Sequence, residues 1–254
     1  LIGCEVKIMV LSIQHFTNRD FEEIPDRANQ LLNLLPSSEL QNLLIYTERI
    51  ILPAKKTIHK PYKAIEKIYF PIRGIISLLN ISQEGLVAES AAVSNEGIIG
   101  IAGFLGGNTA SNWAIAQTEC IALSLPINIL RREFARGGEL QQILFLYSQA
   151  LLAQISQNVL CSCHHTLEQR LARWLIFYSD RLSTKKLFLT QETLADLLGV
   201  RRTSLTVMAG DLRKRKLIDY SRGRILIENP VALRKVACQC DRTISDEYIR
   251  LLNL

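Results

Sequence analysis

The spacing of apolar residues along this chain changes twice, and each change marks a different kind of element. Near the start, Pro36-Ser37-Ser38-Glu39-Leu40 offers a serine cap followed by Leu40, Leu43 and Leu44, a helix signal. From Ile50 to about Leu125 the apolar residues come in short runs rich in β-branched and aromatic types. These are Arg49–Leu52, Ile65–Phe70, Ile75–Leu79, Leu86–Ser90, Trp113–Ala116 and Cys120–Leu125. Turn residues punctuate them at Pro53-Ala54, Lys60-Pro61, Arg73-Gly74, Gln83-Glu84-Gly85 and Gly106-Gly107-Asn108. Many short strands at such intervals predict a β-sandwich or barrel.

After Pro126 the period becomes helical. Ile129–Phe134 reads as a short helix stopped by Gly137-Gly138, and a long helix follows over about Glu139–His164. Within it Leu140, Leu144, Tyr147, Leu151, Gln154 and Asn158 recur at alternating spacings of four and three, the pattern of a coiled-coil seam. These six residues are therefore expected to form a homodimer interface. Ile143, Leu146, Leu152, Ile155 and Val159 widen the apolar surface, so one face packs inward and another meets a second copy.

The last third is a sequence of short helices. Glu168–Asp180 is amphipathic, with Leu171, Trp174, Leu175 and Tyr178 on one side. Thr190-Gln191-Glu192 opens a second helix bearing Leu194, Ala195, Leu197 and Leu198, and Gly199 breaks it. A third follows at once, with Leu205, Met208, Ala209 and Leu212 on one face. Two short helices about a tight glycine turn make a helix-turn-helix. Leu217–Tyr220 and Ile225–Ile227 around Arg222-Gly223-Arg224 add a hairpin wing. Pro230–Leu233 begins another helix. The resulting α+β organisation is an irregular extension (1–30), a small β-roll of the double-stranded β-helix or jelly-roll kind (31–137), a dimerisation helix (138–166), a winged helix-turn-helix (167–240) and a tail (241–254).

Charge says what the winged part meets. The chain carries a net +6. Residues 167–254 hold seventeen Lys and Arg against ten Asp and Glu, whereas residues 1–166 hold thirteen against fourteen. All of the excess therefore sits in the last third, which points to a polyanion. Double-stranded DNA, with one charge per roughly 1.7 Å of axis, is the expected partner. Hydrophobic content of 48% supports folded cores over disorder. No uninterrupted apolar run reaches the roughly 18 residues of a membrane span, so no membrane partner is expected and the location is read as cytoplasmic. No Ser/His/Asp trio, phosphate-cradling glycine loop or H-E-x-x-H occurs, so an enzyme is not expected.

The order of roll, long helix and winged helix-turn-helix resembles the CRP/FNR family of bacterial transcription regulators. The resemblance spans about residues 30–240 and rests on EKIYFPIRGIISLL (66–79), NEGIIGIAGFLGG (95–107) with TECIALSLP (118–126), and LTQETLADLLGVRRTSLT (189–206). It implies a dimer on a palindromic operator, and RNA polymerase as a further partner. It also implies a cyclic-nucleotide cassette in the roll, of the form G-E-L followed by Arg-Ser/Thr. Here Gly100 falls on the glycine, Ile101 on the ribose-binding glutamate, Ala102 on the leucine, Ala110 on the phosphate-binding arginine and Ser111 on the hydroxyl position. Isoleucine accepts no hydrogen bond and alanine neutralises no phosphate, so this degenerate pocket is expected not to bind cyclic AMP. No cofactor is expected, and the effector is unassigned.

By the same resemblance, base reading falls on Arg202, Thr203 and Val207, with Thr206 beside them. Arginine can pair bidentately with guanine, while Thr203, Thr206 and Val207 suit a thymine methyl. Gln191, Thr193, Arg201, Ser204, Arg222 and Arg224 are expected on phosphates. Cys4 and Cys120 are too few for an iron–sulfur cluster of the family's N-terminal kind. His59 is the sole histidine of the roll and does not by itself indicate haem. Cys161-Ser162-Cys163-His164-His165 and Cys238-Gln239-Cys240 contain good zinc ligands. A C-x-C pair on a helix, however, diverges by roughly 200°. The expectation is buried thiols, no metal, and exposed histidines. Two further readings stay open: an architectural protein indifferent to sequence, and a constitutive regulator whose roll binds nothing.

Overall fold

The computed structural model describes residues 28–254, so the extension expected over residues 1–30, including Cys4, lies almost wholly outside the described residues. Two short helices, α1 (Gln30–Asn33) and α2 (Ser37–Leu44), lead into seven strands: β1 (Glu48–Leu52), β2 (Thr57–His59), β3 (Lys67–Arg73), β4 (Ile76–Ile81), β5 (Val87–Val93), β6 (Trp113–Ala116) and β7 (Cys120–Pro126). They form two antiparallel sheets, ordered β1-β7-β3 and β2-β6-β4-β5. Helix α3 (Ile127–Ala135) and the long α4 (Glu139–His164) follow. The remainder comprises α5 (Leu167–Arg181), β8 (Lys186–Phe188), α6 (Gln191–Leu198), α7 (Arg202–Lys214), β9 (Ile218–Ser221), β10 (Arg224–Ile227), α8 (Pro230–Val236) and α9 (Cys240–Leu252). A third small sheet, β8-β10-β9, carries the wing.

The two roll sheets share one core. Ile68 and Phe70 from β3 and Ile121, Leu123 and Leu125 from β7 meet Leu78, Ala91 and Ala114 from the other sheet. That second sheet is buried on its outer face as well. Leu79, Ala92 and Ile115 pack with Leu171, Trp174 and Leu175 of α5 in a separate cluster. Burial on both faces explains why these strands read as nearly unbroken apolar runs instead of alternating. The roll and the winged region are thus joined through a continuous apolar contact.

Polar groups complete that contact. Glu89 of β5 reaches α5, accepting from Trp174 Nε1 at 3.3 Å and Tyr178 Oη at 2.9 Å, and from Ser77 Oγ in a short hydrogen bond. Burial pushes the Glu89 carboxyl above its ordinary range, opposed by those three hydrogen bonds and the Arg173 charge. Helix α5 itself starts in a reciprocal capping box between Thr166 and Gln169. At the head of α4, Glu39 accepts from the backbone amides of Glu139 (3.3 Å) and Leu140 (2.9 Å), placing a carboxylate at the positive end of the helix.

The seam expected on α4 faces inward. Leu140, Leu144, Tyr147 and Leu151 are buried in the roll core. Gln154 donates to Ala92 O at 3.1 Å and Asn158 donates to Ser90 O at 2.9 Å, satisfying the open edge of β5. The polar seam residues thus cap the sheet edge within one chain. The exposed apolar residues Phe145, Leu152 and Val159 lie roughly a third of a turn further around the helix, and exposed Leu160 about half a turn around. The expected tail at 241–254 is also different: α9 lies along α4 and buries Ile244, Tyr248 and Leu252, with Tyr248 Oη donating to Gln154 Oε1 at 3.0 Å.

Candidate nucleic-acid interface

Local sequence chemistry shapes the helix-turn-helix. Thr190 caps α6, its Oγ1 accepting from the Thr193 amide at 3.1 Å. Gly199 ends α6 at φ +62°, the left-handed conformation that glycine adopts without a Cβ penalty. The turn rests on the roll: a Cβ at Gly199 would stand 3.6 Å from Ala88 Cβ. Helix α7 then starts at Arg202 with Leu205, Ala209 and Leu212 buried beneath it.

The outer face of α7 holds the residues expected to meet DNA. Arg201, Arg202, Thr203, Ser204, Thr206 and Val207 are all exposed, and Val207 shows 65% of its surface. No side chain caps this helix and no acidic residue lies in its first turn, which leaves its positive end facing outward. Thr206 Oγ1 lies 2.7 Å from Gln191 Oε1 and 2.9 Å from Arg202 O, and with one proton it donates to one of them at a time. Gln191 and Thr206, expected separately on phosphate and base, are thus tied to each other. Thr193 does not fit its expectation. It is buried against the capping Thr190, 2.9 Å between hydroxyls, because it occupies the inward side of the first turn of α6.

The wing is a tight two-residue turn. Arg222 and Gly223 both have positive φ (49° and 76°), the type I′ geometry that matches strand twist. Arg222 and Arg224 are exposed, and the Arg224 guanidinium lies over the Phe188 ring at 5.8 Å. Charge is not uniformly available across this region. Arg213 pairs with Asp219 at 2.9 Å, Lys214 with Asp211 at 3.1 Å, and Arg215 with Glu168. Arg201, Arg202 and Arg222 make no ion pair among the described residues, so free charge stands at the start of α7 and at the wing tip.

A second candidate site lies in the roll. Gly100, Ile101, Ala102, Ala110 and Ser111 line one cavity of about 340 Å³. Ile65, Leu78, Ile98 and Ile99 complete its apolar wall, and Leu151 and Ile155 of α4 contribute from the long helix. No Lys or Arg lines it. Lys60, beside His59 in sequence, lies over the Trp113 ring at 5.5 Å, and Arg131, the first basic residue after Ser111, donates to Gly103 O at 2.7 Å and bonds Asn108. The polar side includes His59 with Asn112, 3.2 Å apart, and burial lowers the His59 pKa against the opposing hydrogen bond with Asn112. Calorimetry with cyclic AMP should show no tight binding, since the phosphate would enter without a charge partner. Tight binding would contradict this description of the cavity.

Comparison with known proteins agrees with this geometry. Residues 169–236 match the profile of the Crp-like helix-turn-helix domain. The global nitrogen regulator of Nostoc is 24% identical over 189 residues, covering 71% of this chain and 85% of that protein. The global nitrogen regulator of Synechococcus elongatus is 25% identical over 187 residues, covering 70% and 84%. Among solved structures, a putative transcriptional regulator of the crp/fnr family from Eubacterium rectale superposes with a TM-score of 0.70 at 16% identity, covering 83% of this chain and 98% of that one. FixK2 from Bradyrhizobium japonicum gives 0.64 at 14%, covering 76% and 98%.

Proposed function

We propose that this chain, a transcription regulator of the CRP/FNR type and not an enzyme, binds a palindromic operator as a homodimer in the cytoplasm. Its signal on this reading is something other than cyclic AMP. The observation that carries the DNA reading is the outer face of α7, where exposed Arg202, Thr203 and Val207 stand beside unpaired Arg201 and the wing tip of Arg222 and Arg224. Arg202 reads guanine; Thr203, Thr206 and Val207 face thymine methyls; Gln191, Arg201, Ser204, Arg222 and Arg224 hold phosphates. RNA polymerase is a further partner by analogy with the family.

Dimerisation is assigned to the exposed stripe of α4. Phe145, Gln149, Leu152, Ser156, Val159 and Cys163 are all exposed and follow spacings of four and three. Phe145, Leu152 and Val159 supply its apolar contacts one heptad apart, and Leu152 and Val159 are more than half exposed. The 26-residue α4 is also long and apolar enough to cross a membrane, the one such helix among the described residues. One side of it is committed to the roll and α9, however, and Gln154 and Asn158 are bonded to β5. A second copy covers the remaining stripe without disturbing those contacts, whereas insertion into lipid breaks them. The roll cavity supports an uncharged, largely apolar effector, which would touch Leu151 and Ile155 and so bear on the dimer helix directly.

Binding titrations on selected and random duplexes test the assignment of base reading. Arg202→Ala should cost about 1–3 kcal/mol per half-site on the selected operator and relax preference at one base pair, while Arg224→Ala weakens every sequence alike. Equal losses on selected and random DNA for Arg202→Ala would remove that residue from the reading set.

A further inference from the structure

At the junction of α4 and α5, four metal-ligating side chains converge from two distant segments. Cys161 lies in the last turn of α4, and His165 caps that helix four residues on. Cys238 precedes α9 and Cys240 opens it. The Cys161 and Cys238 sulfurs are 3.5 Å apart, and Cys240 Sγ is 3.4 Å from His165 Nδ1. All four donor atoms lie within 4.8 Å of one another. The three thiols are buried and the imidazole is half-buried.

These distances suit one ion at the centre. Bonds of about 2.3 Å to sulfur and 2.0–2.1 Å to nitrogen, set tetrahedrally, require donor separations of roughly 3.5–3.8 Å. Two contacts, at 3.5 and 3.4 Å, are already close to that length, and the others need to close by about an ångström. A disulfide needs a sulfur separation of about 2.05 Å. An iron–sulfur cluster distributes its four ligands over two or more irons and so spreads the whole set further apart. Three thiolates and a neutral imidazole make a Cys₃His set, a common structural zinc set.

We propose that Cys161, His165, Cys238 and Cys240 bind a single zinc-class divalent ion that clamps α9 to the end of the long helix. The surroundings supply what such a centre needs. Three thiolates and one dication leave a net negative charge, and the mostly buried Arg173 guanidinium sits beside it. Arg173 is held by Asp241 at 3.2 Å and Asn158 at 3.0 Å, and its Nε is buried with no hydrogen-bond partner. Gln157 Nε2 donates to Cys240 Sγ at 3.2 Å, an outer contact that orients a thiolate ligand. The ion would tie α9 to the point where α4 hands over to α5 and the winged region.

The reason this set escapes a reading of spacing is specific. The divergence of a helical C-x-C pair holds for Cys161, which is buried, and Cys163, which is exposed. Cys238 and Cys240 do not share a helix, because Cys238 stands before α9 begins, and both sulfurs turn toward Cys161. Hydrophobic packing alone accounts for buried thiols but not for an imidazole nitrogen aimed among them.

Elemental analysis of untagged, full-length protein purified under reducing conditions, without chelator, tests the site. About one zinc per chain is expected, and cobalt substitution should give the visible absorption of tetrahedral thiolate coordination. Cys240→Ser should lose the metal, Cys163→Ser should retain it, and Gln157→Leu should weaken affinity by about 10–100-fold. Absence of bound metal both as purified and after incubation of the fully reduced protein with zinc would overturn the proposal. So would a Cys161–Cys238 disulfide with no metal-binding form, recovery of iron with sulfide, or equal metal loss in Cys163→Ser. None of these readouts depends on DNA binding, so the site and the regulator reading stand or fall separately.

Discussion

Leu152→Arg is expected to convert the proposed dimer to a monomer and to lower operator affinity by on the order of 10²–10⁴-fold, the gain that two linked half-site contacts provide. The substitution puts a charge in the middle of the exposed α4 stripe, where it costs little in the isolated chain because Leu152 is 63% exposed. The monomer should therefore keep its fold and its helical spectrum. The neighbouring position gives the opposite outcome. Leu151 is 1% exposed in the roll core, so Leu151→Ala should cost about 2–5 kcal/mol of stability through a cavity, without acting on the dimer face directly. Sedimentation equilibrium beside thermal unfolding separates the two. A dimeric Leu152→Arg protein, or one that unfolds, would place the interface elsewhere.

The second large effect is at the contact between roll and winged region. Glu89→Ala strips the acceptor from Ser77, Trp174 and Tyr178 together. Ser77 and Tyr178 are fully buried and 3.2 Å apart, so one hydroxyl can still donate to the other, and each proton left without an acceptor costs about 1–3 kcal/mol. A loss of about 2–4 kcal/mol is expected, or roughly 5–15 °C in Tm for a chain of this size. Glu89→Gln keeps the shape and much of the bonding but removes the ionisation. Burial raises the wild-type carboxyl, so the folded state holds its proton more readily than the unfolded chain does. The contribution of Glu89 is then fullest below the ordinary carboxylate range and is lost as pH rises through the raised value. Wild-type stability relative to Glu89→Gln should accordingly fall between acidic and neutral pH. Chemical denaturation across that range checks the sign, and a relative gain with rising pH would contradict it.

How far the sequence reveals this molecule depends on whether a signal is local. Thr190, Gly199 and the apolar spacing of α6 and α7 are local, and they define the helix-turn-helix without tertiary information. Arg222-Gly223 likewise announces its own turn, and the proline and glycine punctuation of residues 50–126 marks the strands. Signals that depend on what lies opposite are not legible. Leu140, Leu144, Tyr147 and Leu151 have the spacing of a seam, but spacing does not say whether the roll or a second copy covers them. Gln154 and Asn158 look like polar seam positions because nothing in the sequence reveals the open edge of β5. Strand β8, three residues long, is too short to have a period, and the apolar positions Ile244, Tyr248 and Leu252 are too sparse to separate a docked helix from a tail. The meeting of Cys161 with Cys238 and Cys240 spans more than seventy residues and is set by the docking of α9 on α4.

The proposed dimer reads two half-sites with paired α7 helices. Footprinting of the wild-type protein on a selected operator measures this most directly. Two protected patches on one face of the duplex, centred about one helical turn (roughly 34–36 Å) apart, are predicted, and Leu152→Arg should abolish them at the same concentration. Uniform protection without a boundary, or a single patch unchanged by Leu152→Arg, would contradict the account.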